Sequence, residues 1–124
     1  MATEAFKTLI EELKRLGFQA YESKVTNKTL TGGLTVENTL LARRELKNAM
    51  IIVRIVKVKD RNKVKILVQG REEDIQEAYE LLVEKPPWTV EAESDRLVMT
   101  LAARGNTWVK TLLETLREVL GIMG

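Results

Sequence analysis

The chain has 124 residues, enough for one domain around one core, and 44% hydrophobic with 31% charged residues and two prolines excludes the fibrous and disordered classes. It contains no cysteine and no histidine, which removes disulfides, thiolate nucleophiles, zinc sites built on those ligands, imidazole acid–base catalysis and Ser-His-Asp triads together. The formal net charge is +2, yet Arg43 to Arg71 holds ten basic residues against Glu45 and Asp60, so this stretch carries +8 and the remainder −6; such polarity suits a polyanion-binding face on an acidic body.

The first element in chain order is an amphipathic helix from Thr3 to Leu16, with Phe6, Leu9, Ile10, Leu13 and Leu16 on one stripe and Gly17 as its C-terminal cap. Phe18 to Val25 reads as a strand, and Thr26 to Gly33 as a loop. Leu34 to Asn48 supports a strand ending at Lys47-Asn48 or a helix starting at Thr35; its apolar positions scatter around a helical wheel, which favours the strand. Met50 to Val58 has the β-branched profile of a central strand covered on both faces, and Val64 to Val68 is its antiparallel partner. A two-residue loop pairing Val58 with Lys65 is set aside. The expected loop is Asp60-Arg61-Asn62, which pairs Val58 with Val64 and Val56 with Ile66, with Asn62 left-handed.

Glu72 to Glu84 forms a second helix, with Ile75, Ala78, Tyr79 and Leu82 on its apolar face and three acids in its first turn; Pro86-Pro87 stops it. Trp88 to Ala102 is a hairpin around Ser94-Asp95, pairing Val90 with Met99, Ala92 with Leu97 and Glu93 with Arg96. Asn106 caps a third helix whose broad stripe includes Trp108, Val109, Leu112, Leu113, Leu116, Val119 and Leu120. A hairpin-plus-helix unit thus occurs twice, with Gly70 and Gly105 each closing a hairpin, a spacing that hints at internal duplication. The fold expected is a single α+β domain over residues 1–124, an antiparallel β-sheet of hairpins packed against three helices.

Chemistry concentrates in the first of these hairpins. The three-residue loop puts Lys57, Lys59, Lys63 and Lys65 on one face, Lys57 opposite Lys65 and Lys59 opposite Lys63, with Arg61 at the tip and Arg54 lower down. Like charges directly opposite are destabilising. The projecting basic ribbon is therefore expected to lie along nucleic-acid phosphates; lysines guarding an exposed hairpin edge are the plainer explanation. Tyr21 and Trp88 are the candidate base-stacking side chains, Trp88 because the proline pair holds it in an extended, partly exposed approach. The leucine-rich stripe of the last helix, through Trp108, Leu112, Leu116 and Val119, is expected to self-associate.

No enzyme is expected, and neither metal nor cofactor. Glu72, Glu73 and Asp74 diverge around a helix and cannot converge on one ion, Glu91 and Glu93 read as a solvated strand face, and Gly32-Gly33 lacks the Lys-Ser/Thr of a phosphate-binding loop. No run approaches the ~18 apolar residues of a membrane span. Met1 to Phe6 lacks the marks of a signal peptide, so a cytoplasmic location is expected. Many Glu, Lys and Arg residues with few Gln resemble a thermophile's composition.

Val64 to Leu82, running strand, Gly70, acidic turn and apolar helix, resembles the strand-to-helix half of a KH domain, without the Gly-x-x-Gly loop that forms that family's binding site. The layout of a helix, a basic antiparallel region, a helix, a further hairpin and a leucine-rich terminal helix is similar to that of the ThermoDBP-type single-stranded DNA-binding proteins of thermophilic archaea. That resemblance implies a sheet-and-helix cleft lined by basic and aromatic side chains, and oligomerisation. Together these features lead to the expectation of a protein binding single-stranded DNA or RNA through its backbone; the alternative is a non-enzymatic assembly domain.

Overall fold

A computed structural model describes residues 4–28, 30–105 and 107–124. Its elements are α1 (Glu4–Arg15), β1 (Gln19–Lys28), β2 (Leu34–Glu45), β3 (Met50–Val58), β4 (Arg61–Gln69), α2 (Glu72–Leu82), β5 (Thr89–Glu93), β6 (Arg96–Arg104) and α3 (Trp108–Met123). The six strands form one open antiparallel sheet in the order β1-β2-β3-β4-β6-β5, an α+β fold. Leu34 to Glu45 is a strand, as its scattered apolar positions imply. Thr3 and Asn106, expected at helix starts, lie outside the described residues.

Every fully buried strand residue belongs to one face of the sheet. Leu40 and Ala42 of β2, Ile51, Val53 and Ile55 of β3, Val64, Ile66 and Val68 of β4, and Leu97, Met99 and Leu101 of β6 lie in neighbouring register and form one core with the apolar sides of the helices. On the other face no described residue is buried, so the sheet is covered once and not twice. β3 was expected to be covered on both faces; its alternate residues Ile52, Val56 and Val58 are only half-buried, and Arg54 is exposed. A run of β-branched residues reads alike for a doubly covered strand and for a central strand with a half-dry open face.

The β3–β4 hairpin departs from expectation in its register. Val58 pairs with Arg61 across a two-residue turn of Lys59-Asp60, and Lys57 pairs with Asn62, Val56 with Lys63 and Arg54 with Lys65. This register sets Ile51, Val53 and Ile55 opposite Val68, Ile66 and Val64, three pairs of fully buried side chains. The three-residue loop would have set the same three residues against Arg71, Gln69 and Leu67, exposing the core of the hairpin to satisfy two pairs near its tip. Lys59, at φ 57°, takes the left-handed conformation in place of Asn62. Asn62 is instead a buried strand residue whose Nδ2 donates to the Gly105 carbonyl at 3.2 Å. The Trp108 indole donates to the same carbonyl at 2.7 Å, tying the β6–α3 connection to the start of β4.

Two hairpin-helix units occupy equivalent places. β4 and β6 pair antiparallel about Lys65↔Thr100, and three landmarks of the first unit recur 35 residues later, although β5 is shorter than β3 and α3 longer than α2: Arg61 becomes Arg96, Gly70 becomes Gly105, and the turn pair Val58↔Arg61 becomes Glu93↔Arg96. A local two-fold through the β4–β6 seam therefore relates β3-β4-α2 to β5-β6-α3. The β5–β6 register matches the one read from sequence throughout.

Helix ends are fixed by local hydrogen bonds. At the end of α1 the Phe18 amide donates to the Leu13 carbonyl and the Gly17 amide to that of Lys14, each at 3.0 Å, a Schellman closure that requires the positive φ of Gly17 (89°). The Arg44 guanidinium on β2 donates to the Leu16 carbonyl at 2.6 Å, seating this helix end on the sheet. Trp88 is 7% exposed, and its indole donates to Thr115 Oγ1 on α3 at 3.0 Å. The partly exposed Trp88 expected from the proline pair is therefore corrected: its ring joins the core where α3 offers a buried hydroxyl.

Two outcomes are expected from these contacts. Lys59→Gly removes the cost of a side chain at positive φ and stabilises the fold by about 0.5–1 kcal/mol in denaturant unfolding. Thr115→Val, isosteric but without an acceptor, leaves the Trp88 indole unpaired in the core and destabilises by about 1–3 kcal/mol, a loss that a Trp88→Phe background abolishes.

Candidate nucleic-acid interface

The observed register sorts the basic residues between the two faces. On the open face lie Arg54 of β3, Arg61, Lys63 and Lys65 of β4 and Arg104 of β6, all exposed. Arg54 is directly opposite Lys65, and Arg61 directly opposite Arg104. None of these five makes an ion pair or side-chain hydrogen bond among the described residues, whereas Arg43 and Arg96 on the same face are paired with Glu45 and Glu93. Lys57 points to the helix side, between Asn38 and Asn62 across the strands, and Lys59 sits in the turn. Of the six cations expected to act together, the structure brings Arg54, Arg61, Lys63 and Lys65 together and separates Lys57. Arg104 joins them, a residue that sequence reasoning missed because only the β4–β6 register reveals it.

The hairpin does not project as a free ribbon. β3 pairs with β2 from Met50 to Val58, and β4 pairs with β6 from Arg61 to Gln69, so both are interior strands. The projecting element is the end of β1–β2, where Thr26↔Val36, Asn27↔Thr35 and Lys28↔Leu34 extend past the last β2–β3 pair, Glu37↔Val58.

Beside the cations runs an apolar band. Ile52, Leu67 and Val98 are half-buried direct neighbours across β3, β4 and β6, Leu41 of β2 stands diagonally from Ile52 and opposite Arg54, and Val56 lies beyond Arg54 on β3. Tyr21, 61% exposed, stands on the same face next to Leu41. A shallow groove of about 640 Å³ crosses the sheet between Arg54, Val56, Lys63 and Lys65 on one side and Thr89, Thr100, Ala102 and Pro87 on the other. Glu37 is the acidic residue lining it. Trp88, behind the sheet, cannot reach this groove.

The stripe expected to self-associate is also corrected. Trp108, Leu112, Leu116 and Val119 are all buried in the chain's own core, and their breadth is explained by α3 packing between α1, α2 and the sheet. Among the described residues no group of three or more acidic side chains is placed to hold a metal ion, and no helix is long and apolar enough to cross a membrane. Comparison of the chain with protein-family models, with curated proteins and with solved structures finds no match.

The two like-charged pairs have a measurable consequence. Lys65→Gln is expected to stabilise the fold by a few tenths of a kcal/mol at low salt by relieving repulsion from Arg54. That gain should vanish as ionic strength rises toward about 1 M, where screening acts within ~3 Å; urea titrations at both salt concentrations check it.

Proposed function

We propose that the protein binds single-stranded nucleic acid across the open face of its sheet, phosphates on Arg54, Arg61, Lys63, Lys65 and Arg104 and bases against the apolar band and Tyr21. One observation carries this reading: five exposed cations without acidic partners converge on an uncovered sheet face, two pairs of them directly opposed. Such an arrangement costs the fold free energy by itself and gains when a polyanion lies over it. Gatekeeping does not account for it, because β3 and β4 have neighbours on both sides and leave no strand edge to guard. Half-buried apolar side chains beside cations suit unpaired bases, which present a stacking face that a duplex keeps inside. The role is binding rather than catalysis, and the nucleic acid is recognised by its backbone, so DNA and RNA share the chemistry proposed.

Fluorescence anisotropy with labelled oligothymidylate and a matched duplex tests the reading. Five phosphate contacts give a slope of log K against log salt of about −3.5, from about −0.7 per contact on a single strand. The double variant Arg54→Ala, Lys65→Ala reduces the slope by about 1.4 and weakens all sequences alike. Tyr21→Ala weakens binding about tenfold with little change in slope. Lys57→Ala, on the opposite face, leaves both unchanged. Equal affinity for the duplex would restrict the reading to polyanion binding, and affinity indifferent to both salt and the double variant would reject it.

A further inference from the structure

The sheet ends in two unlike edges. β5 is five residues long, follows Pro86-Pro87 and turns straight back into β6. β1 is ten residues long, holds neither proline nor glycine, pairs with β2 on one side, and keeps a continuous ladder from Gln19↔Arg43 to Lys28↔Leu34 without a bulge. A long regular edge is a template for another strand unless proline, a bulge or charge blocks it. Of these devices β1 has charge: Glu22, Lys24 and Lys28.

The order of the charges is self-complementary. The middle of the strand reads Tyr21-Glu22-Ser23-Lys24-Val25. An antiparallel second copy centred on Ser23 sets Glu22 opposite Lys24 of that copy and Tyr21 opposite its Val25, each pair occurring twice by symmetry, with Gln19 opposite Asn27 at the ends. Opposite charges and an aromatic facing a β-branched residue are both favourable cross-strand pairs. Centring the pairing one residue away sets Glu22 on Glu22 or Lys24 on Lys24, and parallel in-register pairing does both. The pattern thus admits one register that uses nearly the whole strand and opposes its neighbours. A two-fold normal to the sheet also keeps all helices on one side; the Tyr21–Val25 pairs then fall on the open face, covering side chains that are 61% and 46% exposed in the single chain.

We propose that the protein forms a two-fold dimer through β1, the occupant of that edge being a second copy of this chain. The two six-stranded sheets become one of twelve strands, and the Tyr21 side chains of both copies meet the open face at the seam. Association does not require nucleic acid, so it is measured without it.

Charge reversal tests this by sedimentation velocity on the full chain at tens of micromolar, with the wild type expected at twice the 14.1 kDa chain mass. Glu22→Lys alone and Lys24→Glu alone each set like charges opposite at both symmetric pairs and raise the dissociation constant about tenfold or more. An equimolar mixture of the two variants pairs a doubly basic edge with a doubly acidic one and restores a dimer with one of each, which also shows that both variants are folded. The double reversal in one chain dimerises like the wild type. A monomeric wild type at this concentration, a dimer untouched by both single reversals, or a mixture that stays monomeric overturns the proposal; the readout is mass without nucleic acid, so failure here is distinct from failure of the binding measured by anisotropy.

Discussion

The register of the β3–β4 hairpin, closed at Lys59-Asp60, is the constraint on which the character of this molecule depends. Side chains alternate between the faces of a strand, so the parity of one hairpin register decides which cations share a surface. With Val58 opposite Arg61, Arg54 joins Arg61, Lys63 and Lys65 on the open face while Lys57 turns toward the helices. A shift of one residue would exchange the two sets and bring three buried aliphatic side chains of β3 out to solvent. The register is therefore held by the apolar pairs Ile51–Val68, Val53–Ile66 and Ile55–Val64, each side chain worth about 1.5–3 kcal/mol in burial. A left-handed lysine in the turn, at a cost of about 1–2 kcal/mol, and two opposed cation pairs at a few tenths each are small against that sum.

One-sided coverage follows from the same alternation. Three helices reach only one face, and the face they leave is too apolar to be wholly wet and too basic to be buried. Ile52, Leu67 and Val98 stand side by side across the ladder, while Leu41 is flanked by Tyr21 and Arg54 and Val56 by Thr39 and Lys63, so each is half-buried by its cross-strand neighbours without a second layer above. Aliphatic stems of neighbouring arginine and lysine side chains extend this cover while keeping their charges in water. The proposed ligand, an extended polymer with flat bases and a charged backbone, matches both properties of this surface.

Much of this architecture was legible in the sequence because it is written in local signals. Gly17 after a helical stripe, Ser94-Asp95 between alternating strands, and acids followed by Ile75 and Ala78 each act within a few residues. The basic hairpin is legible in the sequence but its faces are not, since two apolar pairs near the tip favour one register and three pairs in the core another. Trp88 illustrates a different limit: Pro86-Pro87 describes the local approach of the chain, whereas the ring's fate depends on Thr115, 27 residues away and on another element. Arg104 and the burial of the α3 stripe likewise depend on which strand lies beside which, information that periodicity within a segment does not contain.

The local two-fold supplies an internal comparison for the basic face. Positions equivalent to Arg54 and Lys65 in the second unit are Thr89 and Thr100, and the position equivalent to Lys63 is Val98, 35 residues on in each case. The second hairpin keeps the same two-residue turn and the same pairing with these uncharged residues. Neither strand pairing nor turn geometry thus calls for cations at those sites, and Thr and Val are the better strand formers. Arg61 and Arg96 are retained in both units, and Arg96 is neutralised by Glu93 while Arg61 faces Arg104. The shared hairpin geometry therefore does not account for the positive charge of the first unit. That charge stands where one side of the groove holds the cations Arg54, Lys63 and Lys65 and the other the neutral hydroxyl and methyl groups of Thr89, Thr100 and Ala102, an asymmetry that would give the proposed single strand one side for its backbone and another for its bases.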